Sequence, residues 1–344
     1  MKGFEQLRSA CSNGDIETIK QLLLNNPQKD LQFIGPTLLH IACKKGYIEI
    51  VELLLNDDRI DVNQLNNYGE TIFNIACERG HIEIVRLLLN DQRVDINKAM
   101  NIGATPLLIA CQQGHIGVVK LLLNDPRIDI YQATLNYWTP LYLACYGENI
   151  EIVKLLLNDK RIDVNQVDND GYTAFWIACG GERIEIVKLL LNDQRTNINI
   201  SNTDGETPLH ISCKFGSDEV VQLLLNDQRI DVNKVDNDDQ TPFYLACSLN
   251  KIEVVKLLLK DKRVDVNKAN YNGVTPLYHL CKYGDLQGVE CILANGSEVN
   301  LNYQLEVEVA TKVEQRNWES EENFRQRKNV YKNIVELLES FQRN

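Results

Sequence analysis

The chain has 344 residues, of which 44% are apolar, and its formal net charge is −12. An acidic surface repels phosphate backbones, so we do not expect a nucleic-acid partner. No apolar run is long enough to cross a bilayer, and the N-terminal MKGFEQLRSACSNGD lacks the apolar core of a secretory signal. We therefore expect a cytoplasmic protein without membrane insertion, with a nuclear location left open.

A period of 34 residues organises the chain. From Cys43 onward, one column of cysteines keeps this step, and with Cys11 before it the column contains Cys11, Cys43, Cys77, Cys111, Cys145, Cys179, Cys213, Cys247 and Cys281. A column of threonines keeps the same step at Thr37, Thr71, Thr105, Thr139, Thr173, Thr207, Thr241 and Thr275. A fixed period of this size is typical of stacked repeat architectures.

A single repeat predicts two helices followed by a turn. Thr139 can cap the first helix, and Pro140 suits the first helical position because its missing N–H would have no partner there. The apolar segment IEIVKLLLN at 150–158 predicts a second helix that is mostly buried. Residues 159–171 contain Asp, Asn and Gly, which favour an extended turn into the next repeat.

These motifs resemble those of the ankyrin repeat family. The family's T-P-L-H-x-A opening of the first helix is present as TPLHIS at 207–212 and, varied, as TPLLIA at 105–110 and TPLYLA at 139–144. The start of the second helix matches at GHIEIV, residues 80–85. The resemblance implies an all-α solenoid of stacked helix-turn-helix units with projecting hairpin loops. It also implies that the hairpin tips and the exposed face of the first helix line a concave binding surface.

The ends of a solenoid each have one uncovered face, so they should differ from the inner repeats. We expect the ankyrin repeat array to cover residues 1–300, with an N-terminal capping repeat at about 4–33 and regular repeats over 35–300. Residues 301–344 are expected to form a divergent C-terminal helical cap, because VYKNIVELLESF at 330–341 is similar to the second helix of the repeats.

The segment NDxRIDVN recurs at the end of the repeats, so we interpret it as a scaffold feature rather than an active site. Its first residue should end the second helix in a left-handed conformation, at Asn56, Asn90, Asn124, Asn158, Asn192 and Asn226. Its arginines should stack as a ladder at Arg59, Arg93, Arg127, Arg161, Arg195, Arg229 and Arg263. The next acidic residue should neutralise that ladder, at Asp61, Asp95, Asp129, Asp163, Asp231 and Asp265.

The last Asn of this segment is a possible modification site. In proteins that resemble this one, the equivalent Asn can be hydroxylated by an iron- and 2-oxoglutarate-dependent enzyme, and the matching residues are Asn63, Asn97, Asn165, Asn233 and Asn267. The alternative is a loop Asn that bonds its own backbone.

The cysteines invite a zinc or disulfide interpretation, which the spacing argues against. Stacked repeats place equivalent residues about 8–10 Å apart, whereas a disulfide needs Cα atoms closer than about 7 Å. No four ligands converge for zinc, and the common nucleophile, phosphate-loop, zinc-protease and dinucleotide motifs do not occur. We therefore predict buried, reduced thiols, no catalytic residues, no cofactor and no metal site.

Positions that vary between repeats are where a binding function can lie. Eight of the 24 aromatic residues fall within 131–176. The predicted protein-binding residues there are Tyr137, Trp138, Tyr142, Tyr146, Tyr172 and Trp176. We expect Tyr142 to lie off the buried face of its helix. The alternative for Tyr142 and Trp176 is a framework role, since the family's motif has His in that column. A second, apolar strip is predicted at Phe215, Leu249 and Tyr283.

These observations predict a non-catalytic, monomeric scaffold that binds a partner protein on its concave face. The alternative is an adaptor or substrate-recognition subunit of an enzyme complex, such as a ubiquitin ligase, with residues 301–344 as the docking segment. The sequence does not identify the partner, because one fold hosts many functions.

Overall fold

The computed structural model describes residues 2–25, 31–295, 299, 303–312 and 319–343. The helices in these ranges confirm the predicted all-α class, and none of them is long and apolar enough to cross a membrane. They are α1 (Lys2–Asn13), α2 (Ile16–Asn25), α3 (Leu31–Lys45), α4 (Ile48–Leu55), α5 (Ile72–Arg79), α6 (Ile82–Asn90), α7 (Pro106–Gln113), α8 (Ile116–Asn124), α9 (Pro140–Tyr146), α10 (Ile150–Asn158), α11 (Ala174–Gly180), α12 (Ile184–Asn192), α13 (Pro208–Phe215), α14 (Asp218–Asn226), α15 (Pro242–Ser248), α16 (Ile252–Leu259), α17 (Pro276–Tyr283), α18 (Leu286–Ala294), α19 (Tyr303–Thr311) and α20 (Glu321–Arg343).

The chain forms two compact units, an N-terminal unit (Met1–Asn169) and a C-terminal unit (Asp170–Asn344). Consecutive helices pair in both. In the N-terminal unit, each odd-numbered helix from α1 to α9 packs against the next odd-numbered helix. The same order holds in the C-terminal unit from α11 to α19, and its even-numbered helices pack in a second row from α12 to α20. The division predicted at residue 300 remains a prediction.

The apolar faces of both rows form the core of each unit. Phe73 and Leu107 in the N-terminal unit, and Phe175, Leu209 and Phe243 in the C-terminal unit, fill one framework column and are almost fully buried. The 34-residue period thus places one large side chain from each first helix between neighbouring repeats.

The threonine column caps the first helices, as predicted. The Thr139 side chain accepts a hydrogen bond from the Tyr142 N–H at 3.1 Å, and Thr173 does the same for the Trp176 N–H at 3.0 Å. Thr37 does not begin a helix as the other threonines do, because α3 already begins at Leu31 and continues through Pro36. Thr37 is therefore an exposed interior residue of a longer helix.

The predicted left-handed Asn at the end of the second helix is wrong. Asn90 is the last residue of α6, and the following Asp91 leaves the helix in an extended conformation with φ −85° and ψ 110°. Another group bonds one of the carbonyls at this helix end, in place of a left-handed cap. The Arg127 side chain, one repeat later, donates from Nη2 to the Leu89 carbonyl at 2.7 Å.

The arginines of this segment form ion pairs, but the predicted acidic partner is wrong. Arg127 pairs in a bidentate manner with Asp125, two residues before it, at 3.0 and 2.6 Å. Asp129, the predicted partner, instead accepts a hydrogen bond from the Tyr131 N–H at 2.9 Å and so closes the loop. The loop turns back on itself between Asp125 and Arg127, which places the earlier carboxylate beside the guanidinium.

The last Asn of the motif binds the next repeat rather than its own backbone. The Asn63 side chain donates to the Arg93 carbonyl at 2.7 Å and accepts from the Asp95 N–H at 2.7 Å. We call this pair of bonds the asparagine clamp. The C-terminal unit has the same clamp, in which the Asn233 side chain bonds the Arg263 carbonyl and the Asp265 N–H. The motif is therefore a connector between repeats.

The thiols of the repeated cysteine column are buried, as predicted, and Cys291 is half-buried. Burial raises the pKa of Cys11 to about 11 and that of Cys281 to about 12. Thiols with such pKa values carry little thiolate at neutral pH, which makes them poor nucleophiles and poor metal ligands.

Helix α20 continues the register of the repeats within the C-terminal unit. Its buried residues Tyr331, Ile334 and Leu338 have the spacing of the buried residues in the second helices. The Tyr331 hydroxyl donates to the Lys282 carbonyl at 2.8 Å, as the His115 ring bonds the Glu78 carbonyl at 2.7 Å in the N-terminal unit. The similarity seen in VYKNIVELLESF thus reflects the same packing position.

Candidate functional site

Tyr137 stands at the hairpin position where the framework has glycine. Its φ is +63°, and the glycines of the same column have φ values near +80°. A side chain in this left-handed conformation costs about 1 kcal/mol. The backbone conformation at this position therefore favours Gly and does not explain the presence of Tyr137. The residue is 57% exposed.

Trp138, the next residue, is half-buried rather than open. Its indole N–H donates to a carboxylate oxygen of Asp168 at 3.3 Å, and its ring stacks on Tyr142 with centroids 5.7 Å apart. Asp168 is itself buried. Trp138 is therefore partly a packing residue and partly exposed.

The expectation that Tyr142 lies off the buried face is wrong, because this residue is only 6% exposed. The Trp138 ring stacks on Tyr142 and covers that face of α9. Tyr146, one turn later, is 57% exposed. Of the four predicted residues in the N-terminal unit, Tyr137 and Tyr146 thus present most of their rings to solvent.

In the C-terminal unit, Trp176 takes a framework position. It is 9% exposed, and its indole N–H donates to the Glu206 carbonyl at 3.2 Å. His210 occupies the same column one repeat later, where its ring nitrogen lies 3.1 Å from the Gln240 carbonyl oxygen. Tyr172 is half-buried and packs on Trp176 with ring centroids 4.1 Å apart. This geometry favours the framework alternative for Trp176.

The predicted strip of Phe215, Leu249 and Tyr283 is open. These side chains are 55%, 44% and 64% exposed, and they lie at the ends of α13, α15 and α17, which pack side by side. The binding roles of all nine predicted residues remain predictions.

Sequence reasoning missed an apolar row on the hairpins of the N-terminal unit. Tyr68, Ile102 and Leu135 are 76%, 61% and 69% exposed. The Leu135 N–H donates to the Ile102 carbonyl at 3.2 Å, so successive hairpins touch. Comparing hairpin columns for apolar residues of every kind, rather than for aromatic clusters, would have found them.

Tyr131 was also missed, and it departs from the framework in a second way. It occupies the column of the asparagine clamp, between Asn97 and Asn165, and is 68% exposed. A phenol ring cannot reproduce the two bonds of the amide. The hairpin that leads into α9 therefore carries two exposed tyrosines, Tyr131 and Tyr137, at positions where the framework has Asn and Gly.

The hydroxylation candidates Asn63, Asn97, Asn165, Asn233 and Asn267 are all half-buried. Both amide atoms of Asn97 are engaged, with the Arg127 carbonyl at 2.8 Å and the Asp129 N–H at 2.9 Å. An enzyme that modifies such a residue needs the loop to open first. Over the described ranges, no group of three or more His, Cys, Asp or Glu side chains is arranged to hold a metal ion.

Comparisons with known proteins agree with this architecture. The family model described as "Ankyrin repeats (3 copies)" matches four overlapping ranges, residues 7–100, 92–168, 148–236 and 228–303. Among solved structures, 528 chains match, including the ankyrin repeat domain of Bcl-3, described as a unique member of the IkappaB protein family. That domain is 25% identical, with a TM-score of 0.58 over 64% of this chain and 96% of its own. No curated protein sequence matches. The protein belongs to the ankyrin repeat family.

Proposed function

We propose that this protein is a non-catalytic scaffold that binds another protein through exposed side chains on its repeats. The observation that carries the proposal is the pair Tyr131 and Tyr137, which are 68% and 57% exposed. Both replace a residue that stabilises the fold at that position in other repeats. A chain that departs from its own framework at two nearby positions, each time for an exposed tyrosine, has the pattern of a recognition surface.

The surroundings of the two tyrosines support the same interpretation. Leu135 lies between them, and with Ile102 and Tyr68 it extends the apolar surface along successive hairpins. Tyrosine is common at interfaces because its ring buries a large rigid area and its hydroxyl keeps a polar contact. Ankyrin repeat proteins are in general interaction modules, and the adaptor alternative for residues 301–344 remains a prediction without further support.

The test is a variant that restores the framework, Tyr131→Asn with Tyr137→Gly. Copurification from a native extract followed by mass spectrometry should identify a partner of the wild-type chain. The double variant should bind that partner at least tenfold more weakly, since single interface anchors typically contribute about 2 kcal/mol or more. Its thermal stability should rise, because it regains a clamp and loses a strained φ.

A matched control is Tyr271→Asn in the C-terminal unit. Tyr271 is 67% exposed, and its hairpin column contains Asn at 101, 169 and 237. This control should leave binding through the N-terminal unit unchanged. If the double variant kept full affinity, the proposed surface would be wrong. If it lost stability along with binding, the two tyrosines would have a structural role and the proposed surface would again be wrong.

A further inference from the structure

The C-terminal unit has an open apolar strip that its own described helices do not cover. Phe215, Leu249 and Tyr283 are each more than 40% exposed on three adjacent helices. The same column in the N-terminal unit contains Lys45, Arg79, Gln113 and Gly147. An apolar strip where the other unit has polar residues or glycine points to a covering partner.

Carboxylates dominate the hairpins of these same repeats. Asp204, Asp238 and Asp239 are exposed at neighbouring tips, since the Asn237 N–H donates to the Asp204 carbonyl at 3.0 Å. Asp239 has φ +57° at the glycine position of the column, so an acidic side chain is kept there against the backbone preference. Burial raises the pKa of Asp236 above its usual value, and the nearby charges of Asp238 and Glu206 raise it further.

The strip and the carboxylates lie on one face. Lys214, the residue before Phe215, reaches back along α13 to Glu206 with a nitrogen–oxygen distance of 2.7 Å. From the hairpin side, the Asn270 amide donates to the Tyr244 hydroxyl at 3.1 Å.

The Tyr244 ring then continues this connection toward the strip. It packs edge-on against His279, with centroids 5.7 Å apart, and His279 contacts Tyr283 at 4.5 Å. This line of rings joins the hairpin that precedes α17 to the exposed end of that helix.

Apart from Lys214, whose ammonium group is paired with Glu206 toward the hairpins, the charges on this face are divided. Lys282 is in the last turn of α17, and Lys251 caps α16, so both lie at the turn end of the repeats. The carboxylates lie at the hairpin end, about 12 Å away along an eight-residue helix. Charge complementarity therefore places the positive side of a bound segment over the hairpins.

We propose that this face binds a basic amphipathic helix of a partner protein, with its apolar seam on Phe215, Leu249 and Tyr283 and its Lys or Arg flank on Asp204, Asp238 and Asp239. The proposal rests on the scaffold function above and specifies a partner. Adjacent repeats are about 8–10 Å apart, and seven helical residues rise about 10.5 Å. An apolar residue at every seventh position thus meets one strip residue in each repeat.

The experiment uses the full chain and two labelled helical peptides, measured by fluorescence anisotropy. One peptide has Leu at every seventh position and Lys along one flank, and the other has Glu in place of Lys. The Lys peptide should bind and the Glu peptide should not. Affinity for the Lys peptide should fall as salt is raised, because exposed charges are screened.

The variants separate specific docking from general attraction to an acidic protein. Asp204→Asn, Asp238→Asn and Asp239→Asn together should weaken binding at least tenfold and flatten the salt dependence. Phe215→Ala with Tyr283→Ala should weaken it at least tenfold with the salt dependence kept. A control with equal charge loss on the second helices, Asp218→Asn, Glu219→Gln and Glu290→Gln, should bind like the wild type, and melting curves should show that each variant is folded.

Three results would overturn the inference: equal binding of both peptides, equal weakening by the control variant, or binding of neither peptide. None of these touches the scaffold proposal, which depends on copurification and on Tyr131 and Tyr137. If the natural partner is captured but is insensitive to the three Asn substitutions, the basic-helix inference fails while the scaffold function stands.

Discussion

In the N-terminal unit, one hairpin column exposes Tyr68 and Ile102, whereas in the C-terminal unit the same column contains Asp170, Asp204 and Asp238. The neighbouring framework is shared, since threonine caps, arginine pairs and asparagine clamps occur in both units. The tip column is separate from the threonine, arginine and asparagine positions that form those bonds. The comparison teaches that the repeat fixes where a tip lies, while its chemistry is free to differ between the two units.

The largest expected effect tests whether the two frameworks are equivalent. Phe73→Ala and Phe243→Ala each remove a fully buried ring from the same column. Each should lower the local free energy of unfolding by about 3–5 kcal/mol. Hydrogen exchange read by mass spectrometry should show lost protection around the substituted repeat and its neighbours, because repeats contact only adjacent repeats. A loss spread evenly over both units would contradict this expectation.

Trp138 decides how much of the aromatic cluster belongs to the framework. Trp138→Ala removes a half-buried ring, its stack on Tyr142 and its bond to Asp168, and should cost about 2 kcal/mol in urea unfolding. Trp138→Phe keeps most of the stacking and should cost about half as much. Tyr137→Ala, at an exposed neighbour, should not destabilise the fold. An unchanged unfolding midpoint for Trp138→Ala would contradict the packing role of Trp138 and favour a role in binding.

Thr196 is a framework defect of the C-terminal unit. It is 3% exposed in a column that otherwise contains Ile or Val, and its buried hydroxyl has no hydrogen-bond partner among the residues that the structure describes. Thr196→Val keeps the shape and removes the unpaired group, so it should stabilise the protein by about 1 kcal/mol. The same change at the cap residue Thr207 should have the opposite sign, with a loss of about 1 kcal/mol. Destabilisation by both changes would show that the Thr196 hydroxyl has found a partner, such as a bound water.

The smallest expected effect concerns charge on the hairpins. Asp236 accepts hydrogen bonds from the Asp238 and Gln240 N–H groups, as Asn66 does for Tyr68 and Glu70 in the N-terminal unit. Asp236→Asn keeps these bonds and removes a carboxylate whose folded-state pKa is raised. The variant should be more stable at pH 7 by up to about 0.5 kcal/mol.

The pH dependence of that gain has a definite sign. A raised folded-state pKa means that the native chain holds this proton more tightly than the unfolded chain. Stability from Asp236 is therefore fully present below the unfolded pKa near 3.8 and is lost as pH rises through the folded value. Unfolding curves should show the wild type approaching the variant as the pH falls toward 3.8, and a gap that widened on acidification would contradict the assignment.

The sequence was sufficient for features that depend on one repeat alone. Thr139 before Pro140 predicts a capped helix because both preferences are local, and the burial of Cys145 follows from helical spacing. Contacts between repeats were harder to predict from the sequence. Both Asp125 and Asp129 lie two residues from Arg127, and only the loop conformation decides which of them the guanidinium meets.

The candidate surfaces show the same limit. Tyr142 and Tyr146 are one helical turn apart, so their spacing places them on one side of α9, yet the preceding hairpin covers the first and leaves the second open. The exposure of Tyr131 depends on a missing clamp, and the clamp itself is visible only when two repeats are in contact. The sequence is the same whether the Asn side chain bonds its own loop or the loop of the next repeat, so the sequence alone does not distinguish the two.

The bonds that join the repeats have a consequence for synthesis on the ribosome. The asparagine clamp joins residues 30 and 32 positions apart, and the arginine reaches a carbonyl 38 positions earlier. Each of these bonds joins neighbouring repeats and needs no residue from a more distant part of the chain. The sequence separation, and with it the entropic cost of loop closure, is therefore the same for every repeat. Two repeats that have left the exit tunnel already contain all the partners they need. We therefore expect the array to acquire structure in steps during translation, from the N-terminus onward.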